Sequence, residues 1–344
     1  MESVTIKDIA RMAGVSCATV SRALNGAPTV TPELRERILA LCRQHGYRRN
    51  LLARGLSSGR SGLVGCVLSD LDNPLFAGMA LALERFLRLR GYHLFLCRGR
   101  VEDGGIDQLF EFLIGHRVDG IILSSSSRDA SELIRRYLKY IPIVLQGGLS
   151  SAQSDLDIPS VYVDSEAGGR LAAEYLFRLG HTRVAYLGAR VNNYSHLARH
   201  RGFMEAADRL GMTVRTFFND ACSSTVDTGY QLARRFFLEP FEETAAFASC
   251  DTIALGVMSA AQEFHISIPE DVSLLGFDNI MYAGFPRIRL STLDHRARQV
   301  VETAAELLLA QIERPGASCP QPVMICPALV ERSTCRPPPG SARG

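Results

Sequence analysis

The sequence predicts an α/β protein that carries a small helical head, and three observations support this. Residues 5–25 read as two short helices around a tight turn. From Leu63 onward, short apolar runs alternate with helix-length stretches. Alternation of that kind is the pattern of parallel sheets covered by helices on both faces. The charge is also split. Residues 1–60 hold ten Lys and Arg against four Asp and Glu, net +6, whereas the whole chain is +2, which leaves −4 for the remainder. A basic head on an acidic body suits a phosphate-binding module joined to something else.

The head begins with T-I-K-D-I-A-R-M-A-G-V-S-C-A-T-V-S-R-A-L-N. Thr5 and Asp8 have capping-box spacing, and Ile6, Ile9, Ala10 and Ala13 fall on one apolar face. Gly14 permits the turn. Ser16 restarts the helix as an N-cap; Val15, Val20 and Leu24 face helix one, leaving Cys17, Ala18, Ser21 and Arg22 outward. This is a helix-turn-helix with its second helix exposed. Two helices this short need a third, and Thr31-Pro32-Glu33 opens one with a cap, a proline at the first position and an acid in the first turn. Leu34, Ile38, Leu41 and Cys42 give it an inward stripe, and Gly46 ends it. A three-helix bundle without a partner shows the same pattern, so the charge decides for DNA.

A chain of 344 residues has room for two or three domains and a large core. With 47% hydrophobic and 22% charged residues it is not disordered. No apolar run approaches the roughly 20 residues that span a bilayer, and the N-terminus lacks a secretory layout. A cytoplasmic protein without membrane contact is expected. Nine scattered cysteines with no C-x-x-C pair fit neither a disulfide framework nor a zinc site.

Residues 48–61 join head to body. Asn50 can cap a short helix through Leu51, Leu52, Ala53 and Leu56, too apolar and exposed to be stable without a partner; a flexible linker is the alternative. G-L-S-S-G at 55–59 matches an esterase nucleophile elbow, but a basic helical stretch precedes Ser57 where a buried strand is needed. In the body, strands are expected at L-V-G-C-V-L, H-L-F-L-C, G-I-I-L, I-P-I-V-L, S-V-Y-V, R-V-A-Y-L, V-R-T-F-F, A-A-F-A and V-S-L-L-G-F, with early helices from Phe76 to Arg90 and near Ile106 to His116.

The run V-T-I-K-D-I-A-R-M-A-G-V-S-C-A-T-V-S-R-A-L-N-G closely resembles the DNA-binding head of the LacI-type (lactose and galactose repressor) transcription regulators. Further along, S-D-L-D-N-P-L-F, R-V-D-G-I-I-L, L-G-H-T-R-V-A-Y-L-G, R-G-F-M-E-A, I-P-E-D-V-S-L-L-G-F-D and L-V-E-R-S-T resemble that family's segments in the family's order. The resemblance implies a body of two doubly wound subdomains, like a periplasmic sugar-binding protein. The expected divisions are a head at 1–47, a hinge at 48–61, one subdomain from 62–162 plus 292–325, another from 163–291 plus 326–340, and a disordered tail at 341–344. It also implies a homodimer on a pseudo-palindromic double-stranded DNA operator, with hinge helices ordering in the minor groove and Leu56 wedging into a base step. Arg49 stands where the family commonly has proline.

The residues expected to contact DNA are Thr5, Ser16, Cys17, Ala18, Thr19, Ser21, Arg22 and Asn25 in the head, with Asn50, Ala53 and Leu56 in the hinge. Ligands of open α/β sheets bind outside the carboxyl ends of strands. There stand Asp70, Gln146, Cys250 with Asp251, Asp278, and the loop before Arg199. The resemblance gives Arg199 and Asp278 to effector binding, although an arginine and acids at this place can equally form a structural ion pair. Phe76 either stacks on a sugar ring or fills core. Where many relatives have Asn-Asp, this chain has Cys250-Asp251. An arginine with paired acids suits a sugar-like polyol. His196 and His200 have the spacing of a two-histidine metal site but lack a third ligand. His181 is expected to be structural. No catalytic triad, metal or cofactor is expected, so an enzyme is disfavoured. A solute-binding protein would share the body but lack the basic head. The leading expectation is a sequence-specific DNA-binding regulator, a repressor controlled by a small-molecule effector, with a corepressor-dependent or activating regulator as the variant.

Overall fold

The structure, a computed structural model, describes residues 4–24, 26–47, 60–99, 104–125, 130–147, 158–189, 194–219, 224–314 and 321–338. Asn25, the expected hinge residues 48–59 (Arg49, Asn50, Ala53, Leu56 and Ser57 among them) and the tail at 341–344 lie outside these. The chain divides into two compact units, Met1–Ser61 and Gly62–Gly344.

In the first unit, helices α1 (Ile6–Ala13), α2 (Cys17–Leu24) and α3 (Pro32–Gln44) enclose a small core of Ile9, Ala10, Ala13, Val20, Ala23, Val30, Ile38 and Cys42. The caps follow the sequence. The Thr5 amide and hydroxyl both donate to the Asp8 carboxylate, at 3.0 and 2.6 Å, and these bonds hold that carboxyl below its usual range. The Thr19 amide donates to Ser16 Oγ at 3.1 Å. Gly14 adopts φ 67° with open space around its α-carbon, so its role is conformational. Arg37 clasps the turn by donating to the Ala13 carbonyl at 3.1 Å. One expectation is corrected: Cys17 is half-buried and packs against this core instead of facing outward. It stands three residues before Val20 and seven before Leu24, which puts it on the edge of the apolar stripe.

The second unit contains two six-stranded sheets. The first comprises β1 (Leu63–Leu68), β2 (His93–Arg98), β3 (Gly120–Ser124), β4 (Ile143–Gln146), β5 (Ser160–Val163) and β11 (Val323–Ile325), in the order β11-β5-β4-β3-β1-β2 and parallel throughout. The second comprises β6 (Arg183–Ala189), β7 (Thr213–Asn219), β8 (Ala245–Ala248), β9 (Ser273–Asp278), β10 (Ser291–Asp294) and β12 (Ala328–Val330), in the order β12-β10-β9-β8-β6-β7. Only the edge pair β10 and β12 is antiparallel. The chain passes between the sheets three times, after Val163, Asp294 and Ile325. A boundary at 292, as expected from the sequence, would cut β10, which pairs with β9 along its whole length.

Helices cover both faces, as the continuous burial of the central strands requires. On β1, Val67 joins Ile121 and Leu123 against α5 (Ile106–Gly115) and α6 (Ala130–Tyr137). Val64, Cys66 and Leu68 face the opposite way, toward α4 (Pro74–Arg88) and α11 (Ala297–Glu313). In the second sheet, Val184 and Tyr186 meet α7 (Ser165–Arg178) and α8 (Tyr194–Arg209), whereas Ala185 and Leu187 meet α9 (Val226–Leu238) and α10 (Asp251–Glu263). Glycines bring those helices together: a β-carbon on Gly202 would lie 2.1 Å from the Glu166 carbonyl oxygen, and one on Gly229 would lie 2.1 Å from that of Ile253.

Candidate functional sites

On the head, Ser16, Ala18 and Arg22 are exposed and Thr19 and Ser21 half-buried, so α2 presents a face of short side chains beside one long cation. The Arg22 Nε donates to the Ala18 carbonyl at 3.3 Å along its own helix, leaving the far end of the guanidinium forward. Thr5 is exposed at the start of α1, with its donors engaged by Asp8.

In the body, the carboxyl ends of the strands collect polar groups that the core excludes. β4 ends at Gln146, which is 2% exposed. Its amide donates to Met79 Sδ at 3.9 Å, while its Oε1 is buried with no donor among the described residues. After β8 come Ser249, Cys250 and Asp251, all buried. β9 ends at Asp278, with φ 120°, followed by Asn279 with φ 57°. Two consecutive non-glycine residues in left-handed backbone are costly and tend to occur where function holds them.

Arg199, on the second turn of α8, is 3% exposed and forms the centre of this cluster. Its Nη1 donates to the Ser249 carbonyl, and its guanidinium lies 3.3 Å from the centre of the Phe277 ring. It is near enough to His196, His295, Tyr186, Cys250 and Asp278 for its charge to act on all five. Burial, aided by this charge, pushes His196 and His295 down to about 3. Burial pushes Asp278 up to about 7 against the pull of Arg199, and it pushes the Cys250 thiol up to about 12. Asp251, also raised well above the ordinary range by burial, is engaged internally: Oδ2 accepts the Ile280 amide at 2.9 Å and Oδ1 the Thr292 hydroxyl at 2.6 Å. Gly276 leaves the space that carboxylate occupies, since a β-carbon there would stand 2.3 Å from Oδ1.

The structure thus brings Arg199, Cys250 and Asp278 into one cluster at the strand ends. Asp70 is half-buried after β1, its Oδ1 accepting the Asp72 amide at 2.9 Å. Phe76 is half-buried on α4 and packs against the large core. Sequence reasoning missed Tyr186, Ser249 and His295 at the cluster. His295 immediately follows β10, a strand too short and polar to be read, and the strand-end rule would have found it had β10 been recognised. His196 belongs to the arginine cluster, while His200 packs on Tyr186 and Phe218. Among the described residues no group of three metal-ligating side chains occurs. His181 bridges the Thr244 hydroxyl and the Arg336 carbonyl, each at 2.8 Å, in a structural role. A separate pocket of about 120 Å³ is lined by Tyr162, Asp164, Glu166, Tyr194 and Arg201; Glu166 already pairs there with Arg170 and Arg201.

Both the head and the body match known protein families. Residues 5–50 match the model for bacterial regulatory proteins of the lacI family, and residues 157–335 match that for a periplasmic binding protein-like domain. Catabolite control protein A of Priestia megaterium is 30% identical over 307 residues, which cover 89% of this chain and 92% of that one. The chain belongs to the lacI family of bacterial regulatory proteins. Another lacI-type relative, the HTH-type transcriptional repressor PurR of Mannheimia succiniciproducens, is 30% identical over 334 residues, 96% of this chain and 98% of its own. The fold is that of the lac repressor dimer bound to operator and the anti-inducer ONPF: the TM-score is 0.85 at 23% identity, over 97% of this chain and all of that one. Among the described residues no helix is long and apolar enough to cross a membrane.

Proposed function

We propose that this lacI-family protein is a sequence-specific DNA-binding repressor, controlled by a small molecule bound at the strand ends between the two sheets. One observation carries the reading: a basic helix-turn-helix head stands on the same chain as a two-sheet body whose strand ends carry Gln146 and Asp278, with the buried Arg199 of α8 close to Asp278. The body is read as two subdomains, 62–163 with 295–325 and 164–294 with 326–338, the bounds following the three passages of the chain. Arg22 supplies the base contact, since a guanidinium can pair bidentately with guanine O6 and N7, and Ala18 beside it admits a thymine methyl. One small head buries too little surface for tight specific binding, so two heads related by a two-fold axis engage two half-sites. This role places the protein in the cytoplasm.

Selecting bound fragments from a random DNA pool with the full chain should return a two-fold symmetric site. Arg22→Ala should cost about 1–3 kcal/mol at one base position in each half-site. An equal loss on selected and random DNA would remove base reading from Arg22, and sedimentation showing a monomer on the selected site would overturn the symmetric arrangement.

A further inference from the structure

We infer that Arg332 is a positioning residue of the effector site: through Asn279 it holds the turn that keeps the Asp278 carboxyl buried in the cluster, without itself meeting the ligand. The inference rests on Asp278 belonging to that site and adds the residue that sets its place.

The turn at the end of β9 needs an external hold. Asp278 at φ 120° and Asn279 at φ 57° are consecutive non-glycine residues in left-handed backbone, which persists only where the surroundings fix it. Nothing fixes it through the Asp278 carboxyl, which accepts no hydrogen bond from any described residue. The hold comes from the two residues that follow. Asn279 Oδ1 accepts from Arg332 Nη2 at 2.7 Å, and the Ile280 amide donates to Asp251 Oδ2 at 2.9 Å. Both clamps are anchored at β10. Arg332 Nη1 donates to the Leu290 carbonyl at 2.7 Å and the Arg332 amide to Ser291 Oγ at 2.9 Å, while Asp251 Oδ1 accepts the Thr292 hydroxyl at 2.6 Å. The guanidinium therefore ties the chain entering β10 to the turn leaving β9, a span that two nitrogens of one rigid fork make and a single ammonium does not. Asn279 suits the other end, since its short side chain tolerates the left-handed region and offers the acceptor that glycine lacks. Charge takes no direct part at Asp278: Arg332 acts on Asp251, and the groups in electrostatic reach of Asp278 are Arg199, Cys250 and Asp251. With the fork removed, the turn is free to relax toward ordinary backbone and to carry the carboxyl from 4% exposure into water.

The test is urea denaturation of the full chain at pH 4 and pH 8, with and without Asp278→Asn, in the parent and in Arg332→Met, Asn279→Gly and Asn279→Asp. In the parent, Asp278→Asn should raise the urea midpoint more at pH 8 than at pH 4, because only a buried carboxyl resists ionisation. Arg332→Met and Asn279→Gly should each cut this pH-dependent gain by at least half, and combining them should cut it no further. Asn279→Asp, whose carboxylate still accepts from the guanidinium, should keep it. A residue that merely adds stability lowers every midpoint and leaves the gain as it is. An undiminished gain in either Arg332→Met or Asn279→Gly would therefore overturn the inference. So would a parent without the gain, since the turn would then not be holding the carboxyl away from water. Calorimetric titration with ribose, galactose, glucose and cellobiose separates the clamp from the site. Affinity for a sugar that binds the parent should fall at least tenfold in Arg332→Met and Asn279→Gly and return in Asn279→Asp. A lost pH-dependent gain with unchanged sugar affinity would keep the clamp and overturn the place of Asp278 in the effector site.

Discussion

Asp278 combines two costs in one residue. Its backbone is left-handed at φ 120° and its carboxyl is buried at 4% exposure, with no hydrogen bond from any described residue. Burial raises its folded-state pKa from 3.8 to about 7, so the folded protein holds this proton more tightly than the unfolded chain. The associated stability is therefore fully present below about 3.8 and is lost as pH rises through about 7. Asp278→Asn, which cannot ionise, should be more stable than the parent at pH 8 by on the order of 1–3 kcal/mol, with the gap closing toward pH 4. Urea denaturation of the body across pH checks it; a gap that widens in acid would contradict the burial argument. His196 and His295 act in the opposite sense. Their pKa values fall from 6.5 to about 3, so the stability tied to them is present above 6.5 and is lost as pH falls toward 3. Arg332 shows how a sequence segment without chemistry of its own supports the site: its guanidinium donates to the Leu290 carbonyl and to Asn279 Oδ1, both at 2.7 Å, bracing the residue after Asp278.

Among the elements, the helix pairs of the second sheet are set by glycine. A β-carbon on Gly256 would stand 2.1 Å from the Val226 carbonyl oxygen and 2.4 Å from the Tyr230 nitrogen, and Gly229 approaches Ile253 as closely from the other side. Backbones of α9 and α10 meet there, and no side-chain rotation relieves a contact with backbone. Gly256→Ala should push the helices apart and cost about 1–3 kcal/mol or more in the unfolding of the body. Gly14→Ala, by contrast, meets nothing within 4 Å and pays only for its positive φ, about 1 kcal/mol in the unfolding of the head. Denaturant titrations of the two variants test the ordering, and Gly256→Ala proving the cheaper change would show that the helix contact is not a packing limit. This spacing matters for function because α8, which carries Arg199, is held against α7 by the same device at Gly169 and Gly202.

For the molecule as a whole, control requires that the effector bind two arrangements of the body unequally, since a ligand shifts an equilibrium only by its differential affinity. The cluster around Arg199 draws Ser249 and Asp278 from the strand ends of the second sheet, and Gln146 ends a strand of the first, so a ligand touching both would favour one relation of the sheets. We propose that the shift reaches DNA through residues 48–61, with Leu56 in the minor-groove wedge role that the family resemblance implies. Leu56→Ala should weaken operator binding strongly and leave effector affinity of the DNA-free protein nearly unchanged. Arg199→Ala should do the reverse, giving operator binding that ignores the effector. Calorimetric effector titration beside operator binding for both variants decides; loss of effector binding in Leu56→Ala, or full responsiveness in Arg199→Ala, would break the scheme.

The head was legible from sequence alone because its signals are local: Thr5 with Asp8, Gly14, Ser16, and Thr31 with Pro32 lie within a few residues of the bonds they make. The long strands were legible too, because burial on both faces writes them as apolar runs such as Leu63–Leu68 and residues 274–277 of the strand Ser273–Asp278. The strands at Ser291–Asp294, Val323–Ile325 and Ala328–Val330 were not, since segments of three or four residues carry too little pattern and their places are decided by the neighbours they pair with. The site divides along the same line. That polar residues gather at strand ends followed from the α/β pattern, and so did the places of Gln146, Cys250 and Asp278. That Tyr186, Ser249 and His295 gather around Arg199, that Asp251 is used up internally, and that no described carboxylate neutralises the arginine were decided only by tertiary structure. Burial and charge compensation are sums over residues far apart in the chain, and no stretch of sequence records them.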